Sequence, residues 1–367
     1  MTPKIRIAIY AFFGIIFLAA IGWGVFAFIQ NQDEIVAGIN PTPTPSANPT
    51  PTPAPNLAQL SWEKTVETIP WVSRDSHGFI DFKGKLWLMG GLHGEPDQKE
   101  YWRMPHFNDV WSSENGTDWE RVVDHAPWHE RRSLPLVVFK NSLWLIGGWD
   151  NDAWIYPNDI WNTKDGITWI QQTKNAEWKG REGHTVTEFN GSLWLMGGVT
   201  FEPRKLFNDI WKSEDGITWE LVTEKAPWSP RYDHAAAVFR GKLWLIGGAP
   251  FGPADAVNDI WVSNNGKDWE LATNNAPFSI RHGHELVEYK NTLWLVSGWN
   301  TKTMKGMRDV WYSTDGFTWT KTNQQTPWTG REDHGVAVFK DKIWLTGGMD
   351  ENWTWNNEVW HSVFMNP

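Results

Sequence analysis

The chain contains no cysteine among its 367 residues. Disulfides, a lipid-modified cysteine and thiol chemistry are all excluded, so the fold is held by its core and by closure. Positive charge is also short: 33 Lys and Arg face 43 Asp and Glu, a net charge of −10. Lys4, Arg6, Asp33 and Glu34 cancel within the first sixty residues, so the excess falls on the rest. That balance argues against nucleic acid or an anionic membrane surface as a partner.

Charge is missing altogether from Ile7 to Ile29, a run of 23 residues. This is about the length that crosses a hydrocarbon core of ~30 Å. A cleaved signal has a shorter apolar region, so residues 1–32 read as a cytoplasmic stub and a retained membrane anchor. Lys4 and Arg6 before the run place the N-terminus inside and the rest of the chain outside the cytoplasm. Residues 33–59 read as a linker. Its Pro41–Pro55 stretch holds seven prolines alternating largely with Thr. Such a sequence favours polyproline II, ~3.1 Å per residue, and would reach ~45 Å.

What is abundant is tryptophan, with 30 residues, and a repeat. Leu-Trp-Leu or a close variant recurs around Trp87, Trp144, Trp194, Trp244, Trp294 and Trp344, with a first gap of 57 and then gaps of 50. A second series runs Trp111, Trp161, Trp211, Trp261, Trp311 and Trp360. In one unit, His184–Phe189, Leu193–Met196, Ile210–Trp211 and Trp219–Glu220 read as four short strands, a to d. Gly197-Gly198 ends strand b, and Asp215-Gly216 predicts a type I′ hairpin between c and d. A period near fifty with four strands per unit predicts a propeller blade. Residues 60–367 hold six such units. The last lacks strand d, and Ser61–Trp71 matches the missing text, so the N-terminal strand should complete the last blade. Repeated positions account for 23 of the Trp residues, which are expected to pack between blades.

These features resemble the kelch family: Gly-Gly after strand b, an aromatic on strand c and Trp at the start of strand d. The resemblance implies an all-β, six-bladed kelch-type propeller, preceded here by one transmembrane helix. It brings in the superfamily of the galactose oxidase central domain and the sialic acid mutarotases.

Long, variable b–c and d–a connections share one face, where function usually sits on a rigid scaffold. Trp102, Trp149 and Trp299 lie in b–c segments outside the obvious repeat and are candidate ligand contacts. Each d–a connection ends in Arg: Arg74, Arg131, Arg181, Arg231, Arg281 and Arg331. Repetition suggests a structural role, yet Arg also suits bidentate carboxylate recognition, so a ligand-facing role stays open. His77, His184, His234, His284 and His334 follow three residues on, without short-spaced partners, and no metal site is expected. The residue after each Arg varies: Asp75, Arg132, Glu182, Tyr232, His282 and Glu332. Packing does not specify such a position. It either makes an asymmetric site at the channel mouth or is simply exposed.

The expectation is a ligand-binding module for a carbohydrate, acidic sugars included, or for a protein. The propeller is expected to be monomeric and to need no cofactor. The resemblance also admits an enzyme. A copper radical oxidase is excluded, because its copper site needs a Cys cross-linked to Tyr. A mutarotase needs only an acid and a base beside a bound sugar, and Glu182, Glu332 and His282 are the candidates.

Overall fold

A computed structural model describes residues 56–65, 69–94, 104–150, 153–250 and 256–364. The expected membrane helix, most of the linker and Trp102 lie outside the described residues. Among the described residues, no helix is long and apolar enough to cross a membrane.

Six four-stranded antiparallel sheets follow the repeat. Blade 3 is typical, with strands Thr185–Phe189, Ser192–Met196, Ile210–Ser213 and Glu220–Thr223 in spatial order a-b-c-d. The six strands a touch one another in a closed ring around a central channel. Blade 6 takes its strands a to c from Gly335–Phe339, Lys342–Thr346 and Val359–Phe364. Its strand d is Leu60–Lys64, registered Leu60 to Phe364 and Lys64 to Trp360. The N-terminal strand therefore closes the ring as expected, and no blade is left with an unpaired edge of that kind.

The repeated aromatics lie between blades. Trp87, Trp144, Trp194, Trp244, Trp294 and Trp344 are all buried. Each donates its indole N–H to the carbonyl of the aromatic residue five positions earlier, as Trp194 does to Phe189 at 3.0 Å. Five of the rings then lie under the c–d hairpin of the next blade, whereas Trp294, facing blade 6, meets Phe364. A Cβ on Gly216 would sit 2.7 Å from Trp144 Cη2, so only glycine admits the contact.

The hairpins correct one expectation. In the c–d turns the glycine alone has positive φ, as in Gly216 at +85° after Asp215. A type I′ turn needs two such residues. The turn is built instead by side chains: Ser213 Oγ accepts from Gly216 N, and Asp215 Oδ1 accepts from the amides of Ile217 and Thr218. Paired positive φ occurs in the a–b turns, for example Asn190 at 52° and Gly191 at 75°.

Candidate channel-mouth site

Building the mouth starts with the six repeated arginines, all 0–1% exposed. Arg131 shows the pattern. Its Nη1 and Nη2 donate to Asp159, Nη1 also reaches the Gly147 carbonyl, and Nε donates to the His129 carbonyl. Arg74, Arg181, Arg231 and Arg281 repeat this with Asp109, Asp209, Asp259 and Asp309, and Arg331 uses Glu358. These guanidinium groups are buried and make four or five hydrogen bonds each inside their own blades. A ligand-facing role for Arg74, Arg131, Arg181, Arg231, Arg281 and Arg331 is therefore withdrawn: each staples the d–a loop to the start of strand c.

The histidines three residues on pack between blades. His184 lies over Gly147 of the preceding blade, where a Cβ would meet its Cε1 at 3.1 Å. Burial and the nearby arginine lower His77, His184, His234 and His334 to about 3, so all four are neutral. Blade 2 places Leu134 at this position, next to Gly90.

Stapling fixes the next residue. In every blade its backbone pairs with the residue just after the b-strand glycines: Asp75 with Leu92, Arg132 with Trp149, Glu182 with Val199, Tyr232 with Ala249, His282 with Trp299 and Glu332 with Met349. Trp149 and Trp299 thus occupy a repeat position that is buried in every blade, and they are only 6% and 5% exposed. The expectation that they stand free as ligand platforms is corrected. One face of Trp149 is covered by the Arg132 guanidinium, 4.4 Å from the ring centroid.

The following residues, Ser76, Ser133, Gly183, Asp233, Gly283 and Asp333, all take left-handed backbone angles between 48° and 62°. Hydrogen bonds link them from blade to blade, such as Asp233 N to the Gly183 carbonyl and Ser76 N to the Asp333 carbonyl. This belt narrows the channel, a cavity of about 500 Å³ lined lower down by Thr185, Ala235 and Glu285.

The six variable residues converge above the belt. Asp75, Glu182, Tyr232 and His282 are buried, and Arg132 and Glu332 are partly buried, so plain solvent exposure does not describe them. Arg132 donates from Nε and Nη2 to Glu182, at 3.0 and 3.2 Å. His282 Nδ1 stands 3.5 Å from Glu332 Oε2 and 3.8 Å from Asp233 Oδ2. Ser76 Oγ donates to Asp333 at 3.2 Å, and Trp355 Nε1 donates to Asp75 at 3.0 Å. The Tyr232 ring lies 6.1 Å from that of His282.

Burial opposes charge here, and the neighbours decide the outcome. Burial would lower His282, but Glu332 and Asp233 carry it up to about 9, so it is protonated at neutral pH. Burial raises Glu332 to about 8, against the pull of His282. Burial and the Asp233 charge raise Asp333 to about 7. Burial also raises Glu285 to about 8, and it lifts Asp75 well above the usual carboxylate range. Burial raises Glu182 as well, though Arg132 restrains it. The mouth can therefore hold and exchange protons close to neutrality. Among the described residues, no group of three or more His, Asp or Glu is placed to hold a metal ion.

Sequence reasoning missed Asp233, Asp333 and Glu285. The signal for the first two was present: the second residue after each Arg is confined to Ser, Gly and Asp, which reads as a turn position.

The kelch-repeats domain family of KLHDC2, KLHL20 and DRC7 matches residues 136–348. No curated protein shows significant similarity to the chain. Many solved structures do. The structure of YjhT superposes with a TM-score of 0.63 at 13% identity, covering 78% of this chain and 94% of that one. At that identity the likeness shows the fold alone. The family match spans more than half the sequence and falls on the blades described above, so the chain belongs to the kelch-repeat family.

Proposed function

We propose that this propeller is a membrane-tethered, extracytoplasmic module that binds a carbohydrate at its channel mouth. One observation carries the reading. One repeated backbone position, next to the belt that rims the channel, carries carboxyls at Asp75, Glu182 and Glu332, a guanidinium at Arg132, a phenol at Tyr232 and an imidazole at His282. Donors and acceptors set around a rigid opening suit a ligand rich in hydroxyl groups. Trp154 and Trp353, 57% and 48% exposed on b–c loops of the same face, offer aromatic surface for sugar stacking. The strand Leu60–Lys64 starts at the hairpin end of blade 6, opposite the mouth.

A glycan array probed with the whole chain in detergent tests this reading. Saturable binding that Glu332→Gln weakens supports it. Capture of protein but no glycan would replace the sugar with a protein partner. The tether is tested separately with protease on intact cells, which should release the propeller. Protection until lysis would reverse the orientation.

A second reading is favoured by the closeness of His282 and Glu332. Opening a cyclic sugar hemiacetal requires a proton removed from the anomeric hydroxyl and another delivered to the ring oxygen. Between about pH 8 and 9, with Glu332 ionised and His282 still protonated, the two groups 3.5 Å apart offer the base and the acid. Anomerisation followed by NMR separates mutarotation from simple binding.

A further inference from the structure

The belt below the mouth is not closed all the way round. Five of its blade-to-blade bonds are made, all at 2.7–3.0 Å. Ser76 N donates to the Asp333 carbonyl and Ser133 N to that of Ser76, while the amides of Asp233, Gly283 and Asp333 donate to those of Gly183, Asp233 and Gly283. The sixth bond would run from Gly183 N to the Ser133 carbonyl, between blades 2 and 3, and it is missing among the described residues. Blade 2 is irregular at the same place. Pro135 stands where blade 3 has Thr185, and a proline has no N–H for the ladder. Pairing of strands a and b therefore starts at Leu136 with Leu145, one rung later than Thr185 with Met196 in blade 3.

A side chain spans this gap. Glu182 of blade 3 accepts from Nε and Nη2 of Arg132 at 3.0 and 3.2 Å, and its Oε2 also accepts from Ser133 Oγ at 3.4 Å. The contact of His282 with Glu332, between blades 5 and 6, adds to a backbone bond of the belt. The contact of Arg132 with Glu182 replaces one. Lower down the same two blades are firmly joined. His184 Nε2 lies 3.1 Å from the Ile146 carbonyl, and Val137 and Phe139 of blade 2 share a core with Leu193 and Leu195 of blade 3. Movement at the gap is thus confined to the loops at the mouth. Arg132 also rests on Trp149 of its own blade, so Glu182 is the partner that can swing away.

We infer that this joint is a gate: when Glu182 leaves Arg132 and Ser133, the loops of blades 2 and 3 part and the mouth opens into the channel cavity of about 500 Å³. A ligand that binds the parted loops better than the joined ones would hold the gate open. The gate does not depend on whether that ligand is a carbohydrate.

The test uses the full chain in detergent and two readouts. The first is amide hydrogen exchange resolved to single residues and corrected for intrinsic rates. The Gly183 amide should exchange at least about tenfold faster than those of Asp233, Gly283 and Asp333, because it alone lacks its belt bond. A Gly183 amide as slow as that of Asp233 would overturn the split belt and the gate with it. The second readout uses the absence of cysteine. Thr185→Cys places a single thiol in the channel just below the belt, open to a small methanethiosulfonate reagent. Adding Glu182→Ala should speed its labelling by at least about tenfold, as the loss of hydrogen bonds to a charged group warrants. Glu182→Gln, which keeps the shape and removes the charge, should speed it less. Melting curves report whether each variant folds. Equal labelling with and without the Glu182 carboxylate, in folded variants, would overturn the gate.

Discussion

Arg131 donates to both carboxylate oxygens of Asp159, at 2.7 and 3.0 Å, and neither side chain is accessible to a ligand. Replacing Arg131 with Leu would leave Asp159 buried without its counter-ion and two carbonyls without donors. Removing one partner of a buried pair typically costs about 3–5 kcal/mol. Urea denaturation should show a loss of that order. A loss below about 1 kcal/mol, the range of a surface pair, would mean that the staple is not structural.

Trp149→Ala should destabilise the propeller about as much as Trp194→Ala. Both rings are buried, at 6% and 5% exposure, and truncating a large buried aromatic costs about 3–5 kcal/mol. Because Arg132 rests on Trp149, the substitution should also loosen the Arg132–Glu182 pair. A melting temperature unchanged from the parent would restore Trp149 to the ligand-platform role.

Acid should unfold this protein through its histidines. Four of them fall from an ordinary value of 6.5 to about 3. The folded state resists protonation that the unfolded state accepts. Their contribution to stability is thus present above pH 6.5 and is lost as pH falls from there toward 3. His184→Leu, which copies Leu134 of blade 2, should flatten the acid limb of a melting-temperature profile. The opposite sign applies to Glu285, raised from 4.5 to about 8: its ionisation destabilises the fold as pH rises through that window. Glu285→Gln should therefore raise the melting temperature near the upper end of the window and do little at its lower end. A uniform shift across pH would contradict the burial argument.

Ring closure is testable by deletion. A chain lacking residues 1–71 loses the strand Leu60–Lys64 and leaves Val359–Phe364 as an open edge. It should aggregate or lose its cooperative melting. Melting that matches the intact chain would show that the strand is dispensable.

The blades were legible because each strand carries its own signal and the signal recurs. Closure was legible because the text missing after Trp360 stands at Ser61–Trp71. The mouth was legible only in part. A position that varies from blade to blade, Asp75 through Glu332, did mark the site. Repetition alone could not say whether Arg131 points outward or back to Asp159, because both roles conserve charge and geometry between blades. Trp149 misled for a related reason. Its partners at the same position are Leu92, Val199, Ala249, Trp299 and Met349, so the repeat fixes burial there without fixing residue type.

The pairing of Leu60 with Phe364 has a mechanical side. Both ends of the described propeller emerge on the hairpin face, while the mouth opens on the other. A pull between the preceding chain and a ligand held at the mouth acts along the strand, across its five registered pairs. Antiparallel ladder bonds lie perpendicular to the strands, so such a force loads them together in shear. A pull between the two termini would load the same ladder one rung at a time and unzip it from Leu60. The clasp that completes the ring is thus strong against a pull along its strand and weak in the direction in which its two ends are drawn apart.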